Sequence, residues 1–191
     1  LQGNMKIILG SQSLIRQRAL KLLDLPFEIA HSHIDEKAIR HSDPYQMAIN
    51  IAEAKAKAIG EKQEGIIICG DAFMVFKGKI VEKPASVAEA KQMIRSFSGQ
   101  SYDFVTSVVV YNTKTKSLDK AAESLTIWFR ELTDAEIDNY VAKYPVTTLA
   151  GGHETDGAIL FSSRIEGNYN SYTAIPMNHL IPFLRKNGVN V

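Results

Sequence analysis

Ile66-Ile67-Ile68-Cys69 is an unbroken apolar run that stops at Gly70-Asp71, and no other stretch narrows the choice of folds as much. A run this short, rich in β-branched residues and bounded by glycines, reads as a buried strand. Similar short apolar runs recur, and helical patterns separate them. Lys6-Ile7-Ile8-Leu9-Gly10 predicts an opening strand, Ser13 to Leu23 a helix, and Pro26 to Ala30 a second strand. Asp43-Pro44 supplies a cap and a first-position proline for a helix reaching about Ile59. After the central strand, Phe73 to Phe76 continues extended, Lys77-Gly78-Lys79 turns the chain, and Val87 to Phe97 follows a Ser86 cap as helix. Phe104 to Tyr111 and Ala122 to Phe129 flank the polar turn Asn112 to Lys116 and predict an antiparallel hairpin. Thr133-Asp134-Ala135-Glu136 is a capping box for a helix through about Lys143. Ala158 to Phe161 reads as a short strand and Ile175 to Lys186 as a closing helix. Interleaved strands and helices make this an α/β chain with a mixed, twisted sheet flanked by helices.

The 191 residues suffice for one domain or two small lobes, and 45% hydrophobic content supports a packed core. Formal charge is +1, so nothing global points to nucleic acid or to an anionic membrane surface. An anionic ligand must be held by a local cluster. The single Cys69 rules out an intramolecular disulfide framework and reads as a small core residue of a reducing compartment. No apolar run reaches the roughly 18 residues of a membrane-crossing helix, and no leader pattern stands at the front, so the cytoplasm is the expected location. Leu1-Gln2-Gly3-Asn4, ahead of Met5, reads as a remnant of cloning before a single domain spanning residues 5–191.

Four polar stations fall at the ends of these elements. Ser11-Gln12-Ser13-Leu14-Ile15-Arg16 lies where a strand gives way to a helix. Amides and hydroxyls there make an anion site, and Arg16 adds a bidentate phosphate contact. Ile34-Asp35-Glu36 sets two carboxylates on a loop. In Glu53-Ala54-Lys55-Ala56-Lys57 the two lysines point to different helix faces, so one can address a ligand while the other is solvated. The last station joins Asp71, just past the apolar strand, with Glu82-Lys83-Pro84 after the hairpin-like return. A carboxylate beyond a strand end in an open α/β sheet can hold a divalent cation or accept a proton from water, and a nearby lysine neutralises phosphate. His31-x-His33-x-Asp35 puts alternate side chains on one face but lacks a fourth ligand at fixed spacing. No serine has a nucleophile-elbow sequence around it.

In order, these stations resemble the Maf family of nucleotide pyrophosphatases. That family shows S-x-S-P-x-R, L-G-L-P-F-E, D-E, E-K-A, G-A-D-T-V, E-K-P, L-S-G, V-x-F-R and Y-V-x. Here they read Ser11 to Arg16, Leu23 to Glu28, Asp35-Glu36, Glu53 to Ala56, Cys69 to Phe73, Glu82-Lys83-Pro84, Phe97-Ser98-Gly99, Ile127 to Arg130 and Glu136 to Val141. The resemblance implies two α/β lobes around a deep cleft, as in the inosine triphosphatase-like folds, commonly as a homodimer. It also implies hydrolysis of a nucleoside triphosphate to the monophosphate and pyrophosphate with Mg2+ or Mn2+. Carried onto this chain, Asp71 and Glu36 are the metal ligands, and Asp71, Glu36 and Lys83 the catalytic set. Ser11, Ser13, Arg16, Lys55 and Asp156 bind substrate.

The loop Leu149 to Gly157 bears on the base. The family's uridine and thymidine branch carries D-K-A-G-A-Y-G-I-Q-G there, and its 7-methyl-GTP branch C-A-G-S-F-x-S-E-G. This chain lacks the lysine and glutamine of the first and has Asp156 where the second has glutamate. A carboxylate accepts from the paired donors of a guanine edge, which uracil lacks. The resemblance therefore favours 7-methyl-GTP or a similar modified nucleotide over dTTP and UTP. Departures from the family are Leu14 at the proline, Gln17 at a second arginine, Ile15 where the 7-methyl-GTP branch often has an aromatic, and Ala72 after the aspartate. A rival expectation is a nucleotide-binding regulator of septum formation with little turnover.

Overall fold

The computed structural model describes residues 5–153 and 155–191, the side chains of Thr155 and Asp156 excepted. The chain forms two compact units. The first comprises residues up to Ala72 with Val105–Glu123 and Asn170–Val191, and the second Phe73–Phe104 with Ser124–Tyr169.

In the first unit, β1 (Ile7–Leu9) pairs in parallel with β2 (Glu28–Ile29) and with β3 (Ile66–Cys69), in the register Ile7↔Ile66 and Leu9↔Ile68. The central strand β3 then runs antiparallel to β6 (Ser101–Asn112), with Ile67 opposite Tyr111 and Cys69 opposite Val109. The sheet is mixed, as expected. Successive residues of these strands enter two separate cores. Ile7, Leu9, Ile66, Ile68 and Val108 pack with α1 (Leu14–Lys21) and α6 (Met177–Lys186) through Leu20, Leu180 and Leu184. Ile8, Ile67, Cys69 and Val109 pack with Ala52, Ala56 and Ile59 of α2 (Pro44–Gly60). Side chains alternate across a strand, so helices on both faces require an apolar residue at every position. That is why the Ile66–Cys69 run carries no polar alternation. β7 (Leu118–Phe129) pairs with β6 after the turn that follows Asn112.

Local signals set the helix boundaries. Asp43 caps α2, accepting from Tyr45 N at 2.9 Å, with Pro44 at its first position. The closing helix starts at Met177 rather than Ile175, because Pro176 serves as its cap.

In the second unit, β4 (Ala72–Phe76) and β5 (Lys79–Ile80) form a hairpin whose two-residue turn has Lys77 at φ 50° and Gly78 at φ 75°. Positive φ at both turn residues matches the twist of the flanking strands. Helices α3 (Val87–Phe97) and α4 (Asp134–Lys143) carry the expected Ser86 cap and Thr133–Glu136 capping box. The expected strand at Ala158–Phe161 is instead the end of α5 (Thr155–Phe161). Ala158 and Phe161 are buried while Ile159 and Leu160 between them are about half exposed, at 55% and 52%. Burial at i and i+3 is the spacing of a helix face, whereas a strand would alternate. The strand here is β8 (Ser162–Gly167), a polar edge antiparallel to β7. Among the described residues no helix is long and apolar enough to cross a membrane.

Candidate active site

The end of β3 is tied down before it delivers a side chain. Gly70 passes so close to β6 that a Cβ there would lie 2.6 Å from the Ser107 carbonyl oxygen, which only glycine avoids. Ser107 N then donates to the Asp71 carbonyl at 2.9 Å, and Asp71 N donates to Ser107 Oγ at 3.1 Å. Ser107 Oγ in turn donates to the Ala48 carbonyl of α2 at 2.9 Å. One buried hydroxyl thus fixes the Asp71 backbone to the helix that carries the partner of its side chain.

That partner is Lys55. It stands on the buried face of α2, only 8% exposed, while Lys57 two residues on lies at the surface and pairs with Glu53 at 2.6 Å. Lys55 Nζ lies 3.0 Å from Asp71 Oδ1 and 3.0 Å from Glu36 Oε2. The two expected carboxylates therefore meet on one ammonium. Glu36 begins a short 3₁₀ turn that Asp35 caps by accepting from Lys37 N at 3.1 Å. Of the Asp35-Glu36 pair, one carboxylate shapes the turn and the other enters the site.

Arg16 completes the cluster from α1. It is 9% exposed, and its Nε donates to the Ala174 carbonyl at 2.7 Å and its Nη1 to Ser11 Oγ at 3.3 Å. Ser13 caps the helix, its Oγ accepting from Arg16 N. Leu14 occupies the first helical position, where proline is favoured because no intrahelical N–H is lost. Gln17 donates to the Gln12 carbonyl at 3.2 Å and so braces the loop from the place where the family has a second charge. Arg18 is exposed.

Burial dominates the electrostatics. It raises the Asp71 pKa above the ordinary carboxylate range, against the opposing pull of Lys55 and Arg16. It also lowers the Arg16 pKa from its usual value, with Asp71 the strongest counterweight. Cys69, wholly buried beneath them, is pushed up to about 12 by the same desolvation and remains an inert thiol. A carboxylate with a raised pKa is the better proton acceptor near neutrality.

Ala174 was not legible as a site residue in the sequence. It adopts φ 58°, a left-handed backbone that costs an L-residue about 1–2 kcal/mol, and in doing so it aims its carbonyl at Arg16. Glycine takes that conformation without strain but gives up about 0.5–1 kcal/mol of chain entropy. Ala174→Gly is therefore expected to raise stability by about 0.5–1 kcal/mol, read from a chemical denaturation midpoint, with the Arg16 contact intact.

The remaining expected site residues belong to the second unit. Lys83 is exposed on the loop after β5, and the neighbouring Glu82 carbonyl accepts from Gly151 N at 3.1 Å. That bond joins the Lys83 loop to the segment preceding His153, within one unit. Asp156 falls in the first turn of α5 with its side chain outside the described residues. The rings of His31 and His33 lie 4.3 Å apart centre to centre, tilted at 44°. Among the described residues no group of three or more histidine, cysteine or acidic side chains could hold a metal ion by itself. Asp71 and Glu36, both in contact with Lys55, offer hard oxygen donors of the kind that Mg2+ or Mn2+ takes. Such ions use one or two carboxylates and take water and substrate phosphates for the rest.

A mixed α/β sheet ends here in a buried carboxylate, to which flanking helices bring a lysine and an arginine, at the kind of strand end where open α/β sheets bind ligands. Residues 6–187 match the family described as Maf-like protein, and the chain belongs to that family. It is 33% identical over 189 residues to a 7-methyl-GTP pyrophosphatase of Aliivibrio fischeri (strain ATCC 700601 / ES114), covering 97% of this chain and 98% of that one. It is also 33% identical over 189 residues to a dTTP/UTP pyrophosphatase of Bacillus cereus (strain AH820), covering 97% of each. Among solved structures, a HAM1 protein from Coxiella burnetii shares the fold, with a TM-score of 0.53 at 16% identity over 95% of this chain and 99% of that one.

Proposed function

We propose that this protein hydrolyses a nucleoside triphosphate to the monophosphate and pyrophosphate, with Asp71 as the proton acceptor. The observation that carries the reading is the buried Asp71–Lys55 pair, met by the exposed Glu36 and set beside Arg16, in a chain of the Maf-like family. Asp71 is raised in basicity by burial, its backbone fixed through Ser107 and its carboxylate held by Lys55, which suits it to take the proton of an attacking water. Arg16, Lys55 and Lys83 are the cations assigned to offset triphosphate charge. Ser11 and Ser13 add hydroxyls at the start of α1. Asp71 and Glu36 would hold the divalent cation, which when bound supplies charge neutralisation and acidifies a water. The product pair requires cleavage of one P–O bond between the α and β phosphates: the hydroxyl of water adds to one phosphorus, and the bridging oxygen leaves on the other phosphate and takes the remaining proton. The protein acts in this reading on a free nucleotide, as a cytoplasmic homodimer that engages neither nucleic acid nor membrane.

For the base, Asp156 favours a guanine-type edge such as that of 7-methyl-GTP. The two relatives of different specificity are equally similar at 33%, so overall identity does not choose between them. A second reading is a nucleotide-binding regulator of cell division with little turnover; it is favoured by Gln17, which braces Gln12 from the position of the family's second arginine. Pyrophosphate release across canonical and modified triphosphates, with Mg2+, Mn2+ or EDTA, separates the readings. The expected result is metal-dependent release that is fastest from 7-methyl-GTP and loses its base preference in Asp156→Ala. Fastest release from dTTP and UTP would reassign the base. Tight nucleotide binding without release would establish the regulator.

A further inference from the structure

Glu123 lies in β7, outside every motif discussed so far, and its carboxylate is the acceptor for three side chains of the C-terminal segment. Ser171 Oγ donates to Oε1, Asn178 Nδ2 lies 3.0 Å from Oε2, and His179 Nε2 lies 3.1 Å from the same oxygen. The carboxylate is largely enclosed, with its side chain 17% exposed, and Ser171 is wholly buried. Its donors bracket one short piece of chain. Ser171 precedes the turn at Ala174, and Asn178 and His179 follow it on the first turn of α6. Within the bracket, Ala174 N donates to the Ser171 carbonyl at 3.0 Å, and the Ala174 carbonyl receives Arg16 Nε.

A left-handed alanine relaxes unless its surroundings over-determine it. The Glu123 staple supplies that constraint from both sides of the turn. An enclosed carboxylate is seldom a net stabiliser compared with apolar packing, so its value lies in the geometry it fixes. We infer that Glu123 is a positioning residue for Arg16, acting through Ser171 and the Ala174 turn. It touches no reacting atom and sets the direction of the guanidinium that meets the phosphates. This inference rests on the triphosphate reading of the site for its kinetic consequence but not for its structural one.

The test uses the full chain with Glu123→Ala, Ser171→Ala and Glu123→Gln. The first readout is the Arg16 Nε–Hε signal in a ¹⁵N-resolved NMR spectrum, which needs no activity. In the wild type its exchange with water is slowed by the Ala174 carbonyl. Glu123→Ala and Ser171→Ala are expected to speed that exchange about tenfold, the weight of one hydrogen bond to a charged group. Glu123→Gln, which retains an acceptor for part of the set, is expected to restore most of the protection. The second readout is kcat/KM for pyrophosphate release, expected to fall about tenfold in Glu123→Ala and by less than about twofold when Arg16→Ala is already present.

Unchanged Arg16 exchange in folded Glu123→Ala and Ser171→Ala would overturn the inference. So would a loss of kcat/KM that is fully additive with Arg16→Ala. Ser171→Ala severs only the link to the turn and leaves Glu123 its bonds to Asn178 and His179, so it decides the matter if Glu123→Ala does not fold. Should the wild type release no pyrophosphate from any triphosphate, the catalytic reading fails and the NMR exchange still decides the positioning role.

Discussion

Asp71→Asn is expected to abolish pyrophosphate release while leaving the protein at least as stable as the wild type at neutral pH. Asparagine keeps the shape and can still accept from Lys55, but it cannot take a proton, so the loss should reach about a thousandfold or more in kcat. The stability result follows from the direction of the Asp71 pKa, which burial raises. A carboxyl whose folded pKa exceeds its unfolded pKa binds more protons when folded. Its contribution is fully present below the ordinary carboxylate range and is lost as pH rises through the raised value. Wild type should therefore fall behind Asp71→Asn in thermal midpoint as pH climbs through that interval, and the two should converge below it. A variant equally inactive but less stable at every pH would show that Asp71 is a structural pair partner and not a strained functional acid.

Lys55→Met is expected to act in the opposite sense on stability. Its ammonium contacts both Asp71 and Glu36, and methionine follows the same path along α2 without the charge. Removing one partner from a buried pair leaves the other uncompensated, at a cost of about 3–5 kcal/mol. Here Asp71 is left beside Glu36 without the ammonium, so the loss should be largest where Asp71 is ionised and shrink as acid protonates it. Turnover should fall by about a hundredfold or more, because the triphosphate loses a cation and Asp71 is driven toward its neutral form. Denaturation midpoints taken between acid and neutral pH check the first expectation, and single-substrate kinetics the second. A midpoint shift independent of pH would mean that Lys55 contributes packing alone.

Much of this was readable in the residues, and the rest was hidden for physical reasons. Caps such as Asp43, Ser86 and Thr133 act within a few residues, so the sequence displays them directly. Lys55 could be assigned with Asp71 because a strand end and a helix face are local patterns, even though the contact joins separate elements. β8 escaped notice because Ser162 to Gly167 has no apolar alternation and depends on pairing with β7 for its conformation. Ala158 to Phe161 misled because four residues hold both the strand pattern and one turn of helix, and only burial tells them apart. Ser107, Ala174 and Glu123 gave no signal at all. Each acts through bonds to residues distant in the chain, and serine, alanine and glutamate in those settings are unremarkable as letters.

The separation of those bonds along the chain also sets an order of assembly. Lys55 and Asp71 are 16 residues apart, whereas Arg16 and the Ala174 carbonyl are 158 apart. During synthesis from the N-terminus, the first pair emerges together, while Arg16 waits for nearly the whole chain before it finds its acceptor. Until then the guanidinium has its local partner Ser11 but not the carbonyl that receives its Nε. A chain that stops short of Ala174 therefore contains Lys55 and Asp71 but lacks the carbonyl that holds the Arg16 guanidinium, so the arginine side of the cluster is the last to be set.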